Sequence, residues 1–344
     1  MWKGNLTMKK IAIAGNIILD IIKIIDSWPK KGMLSNIIEQ ECAVGGCVSN
    51  TAIDLKVLDP DIQVKCYGVI GNDDYGTYVK KVLSSYNLDI EQIITTNDST
   101  SYTDVMTVST GERTFFHNKG CYKDFTIDDI NLDSLDCELF HLGYLLLLDR
   151  FDEYDCDYGT KASRLLHDIQ CKGIKTSIDL VSDSTGKFKE VVLPALKYCN
   201  YIVINEIEGG MISDISPRNV EGKLLIDNIK EICLKIKSFG VKNKVVVHAP
   251  EGSGIVDENN VFLFVPSLML PSNYIVGSVG AGDAFCAAML YSFLNDFESE
   301  YSLRLASCVA ACNLSVKDSI SGARSLEESL ELENKFERRY NYDK

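Results

Sequence analysis

Residues 277–285 read Gly277-Ser-Val-Gly-Ala-Gly-Asp-Ala-Phe285, and an apolar run over 284–294 follows at once. Gly280, Ala281 and Gly282 carry almost no side chain, so a ligand can come close to their backbone N–H groups. A helix starting near Gly282 points its unpaired N–H groups and the positive end of its dipole at that ligand. Such a start suits an anion, above all a phosphate. Asp283 then sets a carboxylate beside the anion, which is an odd choice for anion binding alone. It has a use if it takes the proton from a hydroxyl that attacks the phosphate. The structural alternative is a glycine-rich turn whose aspartate caps a helix.

A second glycine-led stretch, Ala43-Val-Gly-Gly-Cys-Val-Ser-Asn-Thr-Ala52, runs into a helix expected over 46–58. Paired glycines let a sugar pack against backbone, and Asn50, one turn in, can donate and accept hydrogen bonds with hydroxyls. Close helix packing with a solvated asparagine reads the same way. Together the two stretches resemble the signatures of the ribokinase-like (PfkB) carbohydrate kinases, G-G-x-x-x-N-x-[AS] and D-[ST]-x-G-A-G-D. Gly45, Gly46, Asn50 and Ala52 match the first, and Ser278, Gly280, Ala281, Gly282 and Asp283 the second. The resemblance implies that Asp283 is the catalytic base and that the amides of Gly280, Ala281 and Gly282 form the anion hole. It also implies that Gly45, Gly46 and Asn50 hold substrate and that Ser278 lies on the nucleotide side. One position departs: Gly277 stands where the family has Asp, which bears on nucleotide, Mg²⁺ or monovalent-cation contacts and leaves the base untouched.

Composition sets the frame. At 344 residues, with 46% hydrophobic and 24% charged residues, the chain is ordinary for a globular protein with a sizeable core. A net charge of −14 argues against nucleic-acid or anionic-membrane partners, which need a basic footprint. The twelve cysteines contain no CxxC pair, and the four histidines form no HExxH or other ligand spacing. They read as reduced, mostly buried thiols of a cytoplasmic protein. The longest apolar runs are too short for a bilayer, and residues 1–10 lack the apolar region of a secretory leader. No Walker A motif occurs; Ser184-Thr-Gly-Lys187 reads as a turn.

In chain order, 9–15 reads as a buried strand ending in a glycine turn. Asp20 follows in an apolar stretch, where a carboxylate needs either an internal partner or substrate hydroxyls. The family has an Asp five residues after this glycine that contacts substrate, which tips Asp20 to the second. Two short strands around Trp28-Pro-Lys-Lys-Gly32, and a hairpin over 101–118 turning at Thr110-Gly-Glu112, correspond to the family's β-lid. Asp73 reads as a helix cap. From Asp136 onward strands and helices alternate, the pattern of a parallel sheet covered on both faces.

Asn205 and Glu208 match an N-x-x-E pattern that the resemblance links to Mg²⁺ and phosphate, though Asn is also a common cap. In 245–254 the family's T-x-G becomes His248-Ala-Pro250, with Gly252 and Gly254 kept, and proline removes a donor. Asn313 is the adenine-side candidate, and 326–344 reads as a charged, solvated helix.

The resemblance implies an α/β, ribokinase-like three-layer α/β/α fold, with a mostly parallel central sheet and a small β-sheet lid. It is expected as one kinase domain over 1–344, its lid formed by about 18–42 and 100–121. The implied activity is ATP-dependent phosphorylation of a hydroxymethyl group on a small sugar. Asp20, Gly45, Gly46 and Asn50 would bind the sugar, and Asn205, Ser278, Gly252 and Asn313 the nucleotide. Glu208 would attend Mg²⁺, with a monovalent cation such as K⁺ as a further candidate ion. Partners would be sugar and ATP, with no nucleic acid or membrane, and a homodimer through the lid. A nucleoside kinase, with Tyr102, Phe115 or Phe116 stacking on a base, and a non-catalytic sugar- or nucleotide-sensing homologue are the alternatives.

Overall fold

A computed structural model describes residues 8–108, 112–181 and 186–339. Thr110 and Gly111 of the expected hairpin turn, and Ser184 and Thr185 of the 184–187 turn, lie outside the described residues. The chain begins with β1 (Lys10–Ala14), β2 (Ile18–Ile25), β3 (Ile37–Gly45), α1 (Gly46–Leu58) and β4 (Gln63–Gly71). Next come α2 (Asp74–Ser85), β5 (Ile93–Thr96), β6 (Tyr102–Thr107), β7 (Arg113–Asn118) and, past three short 3₁₀ turns, β8 (Leu139–Leu145). A two-residue pair, β9 (Tyr154–Asp155) and β10 (Gly159–Thr160), precedes α3 (Lys161–Cys171), β11 (Lys175–Leu180), α4 (Phe188–Leu196) and β12 (Tyr201–Asn205). Then follow α5 (Glu206–Ser213), α6 (Ile226–Ser238), β13 (Lys244–Ala249), β14 (Gly252–Val256) and β15 (Phe262–Pro266). The last elements are α7 (Ala281–Leu294), α8 (Ser299–Asn313), α9 (Leu326–Leu330) and α10 (Leu332–Lys335).

Among the described residues, nine strands form one sheet in the order β15-β14-β13-β12-β11-β8-β1-β4-β5. It is parallel from β13 to β5, and β14 and β15 add antiparallel at one edge. Side chains alternate across it with period two. Ala12 and Ala14 of β1 face a core shared with α3, α4 and α6, while Ile11 and Ile13 face a second core shared with α1, α7 and α8. That alternation makes the three layers, as the sequence predicts.

A separate four-stranded sheet, β3-β2-β6-β7, stands off the main one. Its β2–β3 and β6–β7 hairpins agree with the strands expected on either side of Trp28–Gly32 and of Thr110–Glu112. Asp73 caps α2 by accepting from the Gly76 amide at 2.8 Å, as expected.

Ala249 pairs with Gly252 across a tight Pro250-Glu251 turn between β13 and β14. One expectation needs correction: the C-terminal segment is not one solvated helix. α9 and α10 are single turns, Leu332 is buried, and the chain then doubles back. There Arg338 bridges Leu268, and the Arg339 amide donates to the Ser267 carbonyl at 2.9 Å. Apolar Leu332 and Phe336 packed with Leu268 drive that return. No helix among the described residues is long and apolar enough to cross a membrane.

Candidate functional site

The strand order reverses at β1. The chain fills β4 and β5 on one side of it and β8, β11, β12 and β13 on the other. Ligands on such sheets sit beyond the strand carboxyl ends at this switch point, and α7 begins there.

Gly280 is the residue before α7 and adopts the left-handed conformation, φ 78°. A Cβ there would meet the Ser319 backbone oxygen at 2.6 Å, so glycine is needed for both shape and space. The Ala281 amide reaches the Ser278 carbonyl at a long 3.4 Å. The Gly282 and Asp283 amides lie in the first turn, where a helix offers no acceptor of its own.

Asp283 is 6% exposed. Its Oδ1 accepts from the Tyr144 hydroxyl at 2.6 Å and its Oδ2 from the Asn50 amide at 2.8 Å. Burial, helped by the Asp179 charge, pushes its pKa up to about 6 against the pull of those two hydrogen bonds. Asn50 is itself held, since its Oδ1 accepts from the Ser319 hydroxyl at 2.9 Å. Asn50 therefore positions Asp283 directly, a contact that the sequence reading, which gave it to substrate, did not foresee.

On one side of Asp283 a small pocket is lined by Asp20, Ala43, Phe115, Val279 and Ser319, with Arg113 and Lys317 at its charged edge. Burial raises Asp20 to about 6, against a hydrogen bond from Thr103. Gly45 lies flat against this carboxylate, where any Cβ would collide with it. Gly46, φ 85°, packs on Asn16, whose Oδ1 caps α1 by accepting from the Cys47 amide at 3.0 Å.

On the other side lies a cleft of about 400 Å³ bounded by Asn205, His248, Pro250, Ser278, Gly282 and Phe285, with Ala310, Ala311 and Leu314 as an apolar wall. The His248 ring tilts over Phe285, centroids 4.7 Å apart, and burial lowers its pKa to about 4, so it is neutral near pH 7.

The small pocket beside Asp20 and the apolar cleft are thus both lined by the 278–282 turn, which leads into the helix start that carries the buried Asp283. Residues 8–326 match the family model described as "pfkB family carbohydrate kinase". The chain belongs to that family. Among its relatives, the ribokinase of Arabidopsis thaliana is 22% identical over 319 residues, covering 90% of this chain and 77% of that one. Among solved structures, the ribokinase of Thermotoga maritima superposes with a TM-score of 0.76 at 18% identity, covering 94% of this chain and 98% of that one. The Arabidopsis thaliana ribokinase complexed with ribose and ATP gives 0.75 at 18% identity, covering 95% and 99%. The protein is a kinase of the ribokinase-like fold.

Several positions of this PfkB chain differ from the sequence reading. Gly277 cannot carry the family's Asp, because a Cβ there would meet the Val316 carbonyl oxygen at 2.6 Å. Gly252 lies within β14, where a Cβ would meet the Val265 carbonyl at 2.8 Å, and it is not among the cleft-lining residues. Asn313 is 1% exposed and donates to the Ser319 carbonyl at 2.7 Å, so it holds the Ser319 loop instead of facing the cleft. Asn205 and Glu208 form the reciprocal cap of α5: the Glu208 amide donates to Asn205 Oδ1 at 2.9 Å, and Glu208 Oε2 accepts from the Asn205 amide at 3.1 Å.

The sequence reading missed Tyr144 and Arg339. Tyr144 sits at the end of β8 with φ 58°, a conformation uncommon outside glycine. Arg339 lines the cleft, and its Nε has no hydrogen-bond partner. No local pattern marks either one.

Proposed function

We propose that this chain transfers the γ-phosphoryl group of ATP to the hydroxymethyl group of a small sugar. One observation carries the reading: the turn at 278–282, which lines both the small pocket beside Asp20 and the apolar cleft, leads directly into the first turn of α7 and the buried Asp283. In this account the sugar rests against Asp20, Gly45 and Gly46, and Asn50 holds the base. Asp283 accepts the proton of the attacking hydroxyl, and a base so placed contributes about 10²–10⁴-fold. The amides of Gly280, Ala281 and Gly282 steady the charge on the transferring group. ATP lies in the cleft with its base against Ala310, Ala311 and Leu314, with Asn205 and Ser278 on the phosphate side. The Arabidopsis thaliana ribokinase of the same fold, solved with ribose and ATP, supports ATP as the phosphoryl donor.

Among the described residues, no cluster of three metal-ligating side chains lies in the cleft. In this account Mg²⁺ rides on nucleotide phosphates and water, with Glu208 or the cleft-lining Glu206 as the nearby carboxylates. When bound, the ion neutralises phosphate charge. Phosphorus NMR of the products should show a primary monophosphate ester; inorganic phosphate alone would contradict the reading.

The pH dependence follows from Asp283 and Asp20, each raised to about 6. A base must be ionised, and so must a carboxylate that accepts from sugar hydroxyls, so activity falls as pH drops through about 6. In kcat/KM the free protein's two groups both count, giving a steeper acid limb than in kcat. Asp20→Asn should reduce that limb to a single proton; an acid limb unchanged by this variant would contradict the role of Asp20.

In this reading the small sheet is the lid of a single kinase domain, and its closure keeps water from the phosphate. Ile38 and Phe116 of the same sheet, with Met33 and Leu34 of the β2–β3 loop, are 57–83% exposed, and β3 and β7 are the sheet's edges. We infer a homodimer through these lids, acting in the cytoplasm. Equilibrium sedimentation should give twice the chain mass, and Ile38→Glu half of that; a wild-type monomer at micromolar concentration would contradict it. A nucleoside substrate is the second reading, favoured by Phe115 on the wall of the Asp20 pocket.

A further inference from the structure

Behind Asp283, four buried side chains from four separate elements converge. His141 on β8 and Asp179 on β11 sit on neighbouring parallel strands, with Ser177 directly opposite His141. Period-two alternation turns all three to the face covered by α1 and α7. Cys47 comes from the first turn of α1 and Cys286 from α7. His141 Nε2 lies 3.6 Å from Asp179 Oδ2, Cys47 Sγ 4.0 Å from that same oxygen, and Cys286 Sγ 4.0 Å from His141 Nε2. The donor atoms of Cys47, His141 and Asp179 all lie within 4.8 Å of one another.

We propose that these four residues bind one zinc ion, a site distinct from the magnesium of phosphoryl transfer. Two thiols, an imidazole and a carboxylate are a tetrahedral zinc donor set, and hard Mg²⁺ does not choose thiols. Bonds of about 2.0–2.3 Å to a tetrahedral ion require donor separations of about 3.3–3.8 Å, so small movements bring Cys47, His141 and Asp179 onto the ion. Cys286, near His141 but outside that trio, closes the site by a larger shift.

The surroundings aim the donors. His141 Nδ1 pairs with the Ser177 hydroxyl at 3.2 Å, which leaves Nε2 for the ion. Asp179 Oδ1 accepts from the Tyr144 amide at 2.8 Å, which turns Oδ2 toward Cys47 and His141. Gly143 leaves room for the Cys47 sulfur, on which any Cβ at that position would fall. Burial keeps both thiols protonated without metal, so binding Zn²⁺ forms two Zn–S bonds and releases two protons to solvent. The ion would tie α1 to α7, the helices that carry Asn50 and Asp283. The proposal does not depend on the phosphoryl-transfer reading.

The test uses the full chain, reduced, freed of metal with a chelator and titrated with Co²⁺ as a spectroscopic stand-in. One equivalent should give a thiolate-to-cobalt charge-transfer band and tetrahedral d–d absorption, both discharged by Zn²⁺. Cys47→Ser and Cys286→Ser should each cut the band to about half its intensity, and both, like His141→Gln, should weaken cobalt binding at least tenfold. Cys156→Ser and Cys171→Ser, at exposed sites beside Asp157 and His167, should leave it intact. If a core variant fails to fold, as judged by circular dichroism, the wild type and the two exposed-site variants still decide. No wild-type band, or a band lost in Cys156→Ser or Cys171→Ser, would overturn the proposal. So would a band of undiminished intensity and affinity in folded Cys47→Ser.

Discussion

Asp283→Asn should lower kcat by about 10²–10⁴-fold, the typical worth of a positioned general base. The substitution suits its surroundings. The new amide oxygen can accept from Asn50, and the new NH₂ can donate to the Tyr144 hydroxyl, which accepts as well as donates. It also removes a buried negative charge held near Asp179. The melting midpoint should therefore hold or rise, and the dissociation constants for sugar and ATP should stay within a few-fold. Measured together, kcat, binding by calorimetry and thermal unfolding separate a chemical loss from a folding loss. Binding lost in parallel with turnover would remove Asp283 from the role of base.

Gly280→Ala should destabilise the fold by about 2–5 kcal/mol, combining the left-handed penalty with overpacking. Its φ is 78°, and the new methyl would stand 2.6 Å from the Ser319 Cβ and carbonyl oxygen. Ser319 cannot move freely, because its hydroxyl holds Asn50, which holds Asp283. The strain thus reaches the base, and activity should fall with stability. Gly282→Ala is the contrasting variant: its Cβ has only the His248 ring, at 3.8 Å, as a neighbour, and it sits within a helix. Alanine there should be neutral or stabilising by about 1 kcal/mol. Urea unfolding of the two variants reads the difference, and equal midpoints would refute the packing argument.

What was legible in the sequence was local. The glycine-led starts of α1 and α7, the Asp73 cap and the strand–helix alternation each declare themselves within a dozen residues. The Asn205–Glu208 pattern was legible but ambiguous, since N-x-x-E writes a helix cap as readily as a phosphate motif; the fold forms the cap and sets Asn205 on the cleft wall as well. Pairings across long separations were not legible. Tyr144 reaches Asp283 across 139 positions, and Cys47 meets Asp179 across 132. Cysteine and histidine spacing therefore carried no hint of a shared cluster. The tail misled because its charges suggest solvent, while Leu332 and Phe336 decide where it packs. Gly277 looked like a lost functional group and proves to be a steric necessity under Val316.

The most direct measurement is ADP release from Mg·ATP against a panel of sugars and nucleosides, with Asp283→Asn beside the wild type. The account predicts turnover with a small sugar that vanishes in the variant. Turnover only with nucleosides would select the Phe115 reading. Silence across the panel while ATP still binds, or turnover indifferent to Asp283, would contradict the assignment of Asp283 as the base of a sugar kinase.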